Sequence, residues 1–124
     1  MTIKVLAIDD SRTIRSLVQK VMEDAGFICV CAEDGVHGVA RFAEENPDVV
    51  ITDINMPNMD GYGVIASIRN GKTNRNVPIL VLTTESADHM KDRARKAGAT
   101  GWIVKPFEDA TIVSVVQRVT GERS

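Results

Sequence analysis

Five short apolar runs alternate with longer amphipathic stretches along the chain, and this alternation limits the fold more than any other feature. The runs are Ile3–Ile8, Phe27–Ala32, Asp48–Thr52, Pro78–Thr83 and Trp102–Val104. Three of them are almost continuously hydrophobic, which is typical of parallel strands covered on both faces. A strand followed by a helix, repeated five times, predicts an α/β fold. In this fold one five-stranded parallel sheet is doubly wound by five helices through right-handed crossovers.

The stretches between the runs carry apolar residues at spacings of three and four, which predicts helices. The first two repeats are Ile14, Leu17, Val18, Val21, Met22 and Ala25, and then Val36, Val39, Ala40 and Ala43. Gly26 ends the first predicted helix and Asn46-Pro47 ends the second. Two weaker helical patterns contain Val64, Ile65 and Ile68, and Met90, Ala94 and Ala97. The segment Asp109–Val119 is ambiguous, because its valines favour a strand whereas its spacing favours a helix with Asp109 at the N-cap.

Size and charge exclude several classes of protein. The 124 residues fit one domain, residues 1–124, and the 44% of hydrophobic residues predicts a packed core. A net charge of −2 argues against the basic face that nucleic acid or an anionic membrane would need. No apolar run approaches a membrane span, and the first residues are too short and too soon acidic for a signal peptide. We therefore expect a cytoplasmic domain that binds neither nucleic acid nor membrane. We also expect a monomer.

Cys29 and Cys31 stand two residues apart in the second run. On a strand they would point the same way, about 6.6 Å apart along the chain, and that geometry does not suit a disulfide. No further cysteine or well-spaced histidine completes a metal site. We interpret the pair as small core residues, with a redox or metal role as the alternative.

Polar residues collect where the predicted strands end. They are Asp9 and Asp10 after the first run, Asp53 after the third, Thr83 at the end of the fourth and Lys105 after the fifth. Ligands of open parallel sheets bind at this edge. If the first and third strands are neighbours, about 4.8 Å apart, their three carboxylates crowd together and require cations. One lysine and a divalent ion such as Mg²⁺ would meet that need, at a site suited to a phosphoryl group.

Four short motifs at these positions resemble one protein family. "IDDS", "DINMPNMDG", "LTTE" and "KPF" occur in this order at the strand ends. Together they are similar to the receiver domains of bacterial two-component signalling, most of all to the single-domain, CheY-like chemotaxis response regulators. The resemblance covers nearly the whole chain. It implies a flavodoxin-like sheet with strand order 2-1-3-4-5.

The resemblance also implies a role for each residue of the motifs. Asp53 would be the phosphoacceptor, Asp10 and Asp53 would bind Mg²⁺ directly with the backbone carbonyl of Asn55, and Asp9 would act largely through water. Lys105 and Thr83 would contact phosphoryl oxygens, and Lys105-Pro106 would be a cis peptide. Thr83 and Trp102 would form the switch, with a tryptophan where the family more often has tyrosine or phenylalanine. Asn55 and Glu85 would set the rate of dephosphorylation.

The implied function is that of a switch rather than of an enzyme. A histidine kinase would phosphorylate Asp53, and the chain would then change its affinity for a partner such as a flagellar motor switch protein or a phosphotransfer protein. A relay intermediate and a phosphate sink for the kinase are alternatives within the family. Outside it, a phosphatase of the haloacid dehalogenase type also uses an aspartyl nucleophile, but it normally has a second Asp where this chain has Asn55. A structural domain without phosphorylation is the third class, and the intact acidic set argues against it.

Overall fold

The computed structural model describes residues 2–121, in which five strands alternate with five helices. The strands are β1 (Lys4–Ile8), β2 (Ile28–Ala32), β3 (Val49–Thr52), β4 (Ile79–Thr83) and β5 (Gly101–Val104). The helices are α1 (Arg12–Asp24), α2 (Gly35–Glu45), α3 (Gly61–Arg69), α4 (Asp88–Ala97) and α5 (Asp109–Thr120). Among these described helices, none has both the length and the apolar character needed to cross a bilayer.

All strands pair in parallel in the order β2-β1-β3-β4-β5, which confirms the predicted sheet. The register sets the level at which the strands end. Ile8 of β1 lies opposite Thr52 of β3. The next residues continue the ladder, since the Asp53 N–H donates to the Ile8 carbonyl at 3.0 Å and the Asp9 N–H donates to the Ala32 carbonyl at 3.1 Å. Asp9 and Asp53 therefore lie side by side, just beyond the ends of the neighbouring strands β1 and β3.

The sheet separates two apolar cores. On one face, α1 and α5 contribute Val18, Val21, Met22, Ile112 and Val116. On the other, α2, α3 and α4 contribute Phe42, Val64, Ile65, Ile68 and Ala94. Strand residues alternate between the two, so that Val5 joins the first core and Leu6 the second. Both faces of the sheet are covered, which explains why its strands are hydrophobic at nearly every position.

The helices begin at loops on the carboxyl edge of the sheet, and three of them, α1, α2 and α3, have a side-chain cap. Ser11 Oγ accepts from the Ile14 N–H of α1 at 3.3 Å. A carboxylate oxygen of Asp34 accepts from α2 at 2.8 Å, and one of Asp60 accepts from α3 at 2.9 Å. Such caps satisfy backbone donors that a helix end leaves free. They also fix the ends of the loops that surround the strand termini.

The face of α2 that packs on the sheet differs from the one that the apolar repeat marked. That repeat consists of Val36, Val39, Ala40 and Ala43. Val36 is 52% exposed, whereas Gly35, Gly38 and Phe42 are buried. A Cβ at Gly35 would collide with the Met59 carbonyl, and one at Gly38 would collide with a β1 side chain. The two glycines let the helix approach closely, so the buried face contains residues that hydrophobicity does not identify.

The ambiguous segment near the C-terminus is a helix, α5. Its Ile112 and Val116 are fully buried against the sheet, so packing decides in favour of the helical spacing. The prediction of Asp109 as N-cap is wrong by one residue. Glu108 occupies the cap position and makes no side-chain cap bond, while Asp109 is the first helical residue, where its carboxylate suits the positive end of the helix dipole.

Candidate functional site

Lys105 joins two carboxylates at the carboxyl edge of the sheet. Its Nζ lies 2.8 Å from Asp9 Oδ2 and 3.0 Å from Asp53 Oδ2. All three side chains are largely buried, with 6% to 11% of their surface exposed. The Lys105 N–H donates to the Thr83 carbonyl at 2.8 Å, so the end of β4 fixes the start of the loop that carries the lysine. The structure thus brings together residues that are 52 and 96 positions apart in sequence.

A third carboxylate, that of Asp10, completes the cluster. Ligand oxygens of Asp9, Asp10 and Asp53 all lie within 4.8 Å of one another. Asp10 is exposed, and the structure shows no bond to its carboxylate from the residues it describes. Three carboxylates against one ammonium leave an excess of two negative charges. The predicted crowding at the strand ends is therefore present.

Burial and the bond between them act on the pKa values of Asp9 and Lys105. Burial raises the pKa of Asp9 above its usual value, although bonds from Lys105 and from the Ser11 N–H act in the opposite sense. Burial by itself would lower the pKa of Lys105, but the bonds to Asp9 and Asp53 outweigh it and the pKa is raised. Lys105 therefore remains a cation at neutral pH. The bond from the shared lysine thus does not fully compensate the desolvation of the Asp9 carboxylate.

Asp53 directly follows β3 and begins a loop that folds back on itself. Its Oδ1 accepts from the Ile54 N–H at 2.6 Å, while Oδ2 faces Lys105. The Gly61 N–H donates to the Ile54 carbonyl at 2.8 Å and closes the loop. A Cβ at Gly61 would collide with the Asp53 carbonyl, so only glycine permits this approach. The motif "DINMPNMDG" thus places the carboxylate of Asp53 and then starts α3.

Thr83, Asn55, Glu85 and Trp102 form a connected group beside the acids. Thr83 is 1% exposed, and its Oγ1 accepts from the Glu85 N–H at 3.3 Å. Asn55 Nδ2 donates to Glu85 Oε1 at 3.2 Å. The indole N–H of Trp102 donates to the Glu85 carbonyl at 3.0 Å. Glu85 therefore contacts both the loop that follows Asp53 and the ring on β5, a link that sequence reasoning missed.

Arg15 is a residue near the site that the sequence did not identify. Its Nη1 donates to the Asp9 carbonyl at 2.7 Å. The bond reaches back from α1 to the end of β1, six residues earlier. The only signal in the sequence is an arginine on the first turns of a helix that follows a strand-end acid. Lys105-Pro106, by contrast, is the cis peptide that the resemblance implies.

The family comparison agrees with this geometry. The response regulator receiver domain matches residues 5–117 of the chain. The chain belongs to this family. Among its relatives, Protein PilG of Pseudomonas aeruginosa is 30% identical over 93% of this chain and 85% of that protein. Chemotaxis protein CheY-3 of Vibrio cholerae is 33% identical over 94% of this chain and 90% of that protein.

Solved structures place this receiver domain among the CheY-like folds. Chemotaxis protein CheY4 of Vibrio cholerae, crystallised at low pH, superimposes with a TM-score of 0.91 and 40% sequence identity. The alignment covers 96% of this chain and 99% of that one. The receiver is thus similar to single-domain proteins over almost its whole length.

Receiver domains bind Mg²⁺ at an acidic pocket, and the donor set of this receiver fits that ion. Asp9, Asp10 and Asp53 offer carboxylate oxygens, the ligands that hard divalent cations prefer. The excess negative charge of the cluster would be neutralised by one divalent ion. Because Asp10 is exposed, an ion held there would keep access to water and to an incoming phosphoryl group.

Receiver domains are phosphorylated by histidine kinases and act on downstream targets, so they are signalling switches rather than conventional enzymes. The arrangement in this receiver suits such a role. A buried carboxylate lies beside a fixed ammonium at the sheet edge, and a hydrogen-bonded group leads from there to β5.

Proposed function

We propose that this receiver, a single domain over residues 1–124, accepts a phosphoryl group from a histidine kinase on Asp53. The observation that carries the proposal is the bridge from Lys105 Nζ to Asp9 and Asp53, beside the third carboxylate of Asp10. In phosphoryl transfer the protein positions the nucleophile and offsets charge on the transferred group. A lone buried carboxylate would supply a positioned nucleophile only. The bridge supports both roles, since it holds the Asp53 carboxylate beside the cationic Lys105.

Asp53 acts as a carboxylate nucleophile. One of its oxygens forms the bond to phosphorus as the bond from phosphorus to the kinase histidine nitrogen breaks, and the imidazole leaves with that electron pair and takes up a proton. The product is an acyl phosphate. Lys105, which already bonds Asp53 Oδ2 at 3.0 Å, then turns its ammonium to the phosphoryl oxygens. Water later hydrolyses the acyl phosphate.

The ion would be Mg²⁺, bound by Asp10 and Asp53 with the backbone carbonyl of Asn55, and by Asp9 largely through water. When bound, it neutralises the oxygens of the transferred group. The surroundings of Asp9 and Asp10 agree with these different roles. The carboxylate of Asp9 already accepts hydrogen bonds from Lys105 and from the Ser11 N–H, whereas Asp10 is exposed. Asp10 is thus the acid that can turn most freely toward an ion.

The switch would involve Thr83 and Trp102. Phosphorylation of Asp53 would draw the Thr83 hydroxyl toward a phosphoryl oxygen and away from the Glu85 N–H that it now accepts from. Glu85 also holds the indole N–H of Trp102 and the amide of Asn55, so a shift of this loop reaches β5. The side chains of Asn55 and Glu85 meet beside the site and would set how fast water attacks.

The output would be a change of affinity for a partner protein in the cytoplasm, where ATP supplies the kinase and free thiols such as Cys29 and Cys31 stay reduced. The similarity to CheY-3 and CheY4 favours chemotaxis and a flagellar motor switch protein as that partner. A phosphorelay intermediate or a phosphate sink for the kinase is the alternative within the same chemistry. We expect the receiver itself to be a monomer.

Stoichiometry separates this function from that of a phosphatase. With a small acyl phosphate and Mg²⁺, we expect one acid-labile phosphoryl group per chain and no turnover of an unrelated phosphoester such as p-nitrophenyl phosphate. Steady turnover of that ester, without a labelled chain, would favour the phosphatase. Pull-down of the receiver from cell extract, with and without the phosphoryl donor, would then identify the partner that distinguishes motor control from a relay.

A further inference from the structure

We propose that Arg15 is a positioning residue that fixes the peptide between Asp9 and Asp10 and thereby sets the affinity of the site for Mg²⁺. The inference rests on the proposed Mg²⁺ site. It concerns a residue that contacts neither the ion nor the phosphoryl group. It extends the proposed function to a residue of α1 and to a backbone carbonyl.

The side chain of Arg15 contacts the backbone of Asp9 directly. Arg15 is half-buried on α1, and its Nη1 lies 2.7 Å from the Asp9 carbonyl oxygen. The helix that carries it is anchored at the same loop, since the Arg15 N–H donates to the Ser11 carbonyl at 3.0 Å and Ser11 Oγ caps the helix. The guanidinium therefore reaches the Asp9 carbonyl from a helix whose first turn is held in place. A charge-assisted bond of this kind is short and stronger than a neutral one.

The Asp9 carbonyl belongs to the peptide that leads into Asp10. The Asp9 carbonyl and the Asp10 N–H belong to one planar peptide unit, so fixing the direction of the carbonyl fixes the plane from which Asp10 departs. Asp9 has further restraints, because its N–H donates to the Ala32 carbonyl and its side chain bonds Lys105 and the Ser11 N–H. Asp10 has no such side-chain restraint from the described residues, although its oxygen lies within 4.8 Å of the other two acids. Its place in the cluster thus depends on the backbone.

The charge of Arg15 and its hydrogen bond affect Mg²⁺ binding in different ways. Arg15 carries a positive charge near a cation site, so removal of that charge alone would strengthen Mg²⁺ binding. Loss of the bond to the Asp9 carbonyl would instead let Asp10 turn away, and binding would weaken. The two effects have opposite signs. The direction of the change in affinity, and not only its size, therefore decides between them.

The experiment is a calorimetric Mg²⁺ titration of the folded protein without any phosphoryl donor. Arg15→Met keeps the aliphatic length and removes both charge and donor. We expect its dissociation constant to rise about tenfold, the lower end of what loss of an outer partner of a metal ligand costs. Arg15→Lys keeps the charge but loses the planar guanidinium and is shorter, so it should also bind more weakly than wild type. The matched control is Arg12→Met, at an exposed arginine of the same helix, and its binding should be unchanged or slightly tighter.

Unchanged or tighter binding by Arg15→Met would overturn the inference, and so would wild-type affinity in Arg15→Lys. If Arg15→Met does not fold, Arg15→Lys decides alone. Equal weakening in Arg12→Met would show a general effect of the substitution and would also overturn it. Failure of the wild type to bind Mg²⁺ at all would contradict the proposed function instead, so the two failures are distinguishable.

Discussion

Replacement of Asp10 by Asn should have opposite effects on stability with and without Mg²⁺. In the metal-free protein the carboxylate of Asp10 lies within 4.8 Å of those of Asp9 and Asp53, and Lys105 forms ion pairs with the latter two. Asn removes the charge at nearly constant volume. It therefore relieves repulsion in the empty site, but it also removes the ligand that has no other partner among the described residues.

The magnitudes follow from Coulomb's law and mass action. Because Asp10 is exposed, a water-like dielectric applies, and each repulsion costs about 0.9 kcal/mol, or about 1 kcal/mol in total after the attraction of the nearby lysine. A chain of this length has an unfolding entropy of about 0.26 kcal/mol/K, so the metal-free variant should melt about 4 °C higher than wild type. Mg²⁺ at about ten times its dissociation constant should stabilise wild type by about 1.4 kcal/mol, or about 5 °C. The variant should gain almost nothing.

Thermal unfolding in EDTA and across a Mg²⁺ titration measures both effects. Glu44→Gln is the control, since it removes one exposed negative charge on α2, remote from the acidic cluster. It should leave the Mg²⁺ response intact. If Asp10→Asn lowers the metal-free melting temperature, the repulsion argument fails. If the variant retains the full Mg²⁺ shift, Asp10 is not a ligand.

Three further predictions concern the switch and the buried acids. Lys105→Ala should accept phosphate more slowly and, once phosphorylated, should show little change in partner affinity; a normal response would exclude Lys105 from signal transmission. Burial raises the pKa of Asp9 in the folded protein above its ordinary value of 3.8. The free energy of unfolding should therefore fall as the pH rises from 3.8 through the raised pKa, because the folded state holds this proton more tightly than the unfolded state does. Denaturant midpoints in EDTA should show this decline in wild type, and Asp9→Asn should lack it. Trp102 is the only tryptophan and now donates to the Glu85 carbonyl; on phosphorylation we expect the ring to turn inward, with blue-shifted emission and less quenching by iodide. A fully phosphorylated sample with unchanged emission and quenching would show that the ring stays where it is.

The sequence predicted the sheet and the cluster for the same physical reason. Strands buried on both faces are hydrophobic at nearly every position, so their ends are visible as the first acidic residue, as at Asp9 and Asp53. Parallel pairing then puts these ends at one edge. The strand order itself came only from the resemblance of the motifs, because the apolar pattern of a strand does not specify its neighbours.

The features that the sequence did not reveal depend on close approach or on backbone groups. Gly35 and Gly38 are buried on α2 because a Cβ would collide there, but a hydrophobic repeat instead marks the exposed Val36. Arg15 and Trp102 both donate to backbone carbonyls, and every residue has such a carbonyl. Partners of this kind leave no pattern in the side chains, so only the folded chain shows them.

The most direct test of the central claim is the mass of the intact protein after incubation with a small acyl phosphate and Mg²⁺, followed by peptide mapping. Wild type should gain one acid-labile phosphoryl group, located on the peptide that contains Asp53. Asp53→Asn should gain none, while the Glu44→Gln control should be labelled as wild type is. EDTA should suppress the labelling of the wild type. Undiminished labelling of Asp53→Asn, or a phosphoryl group on another peptide, would contradict the assignment of Asp53 as the phosphoacceptor.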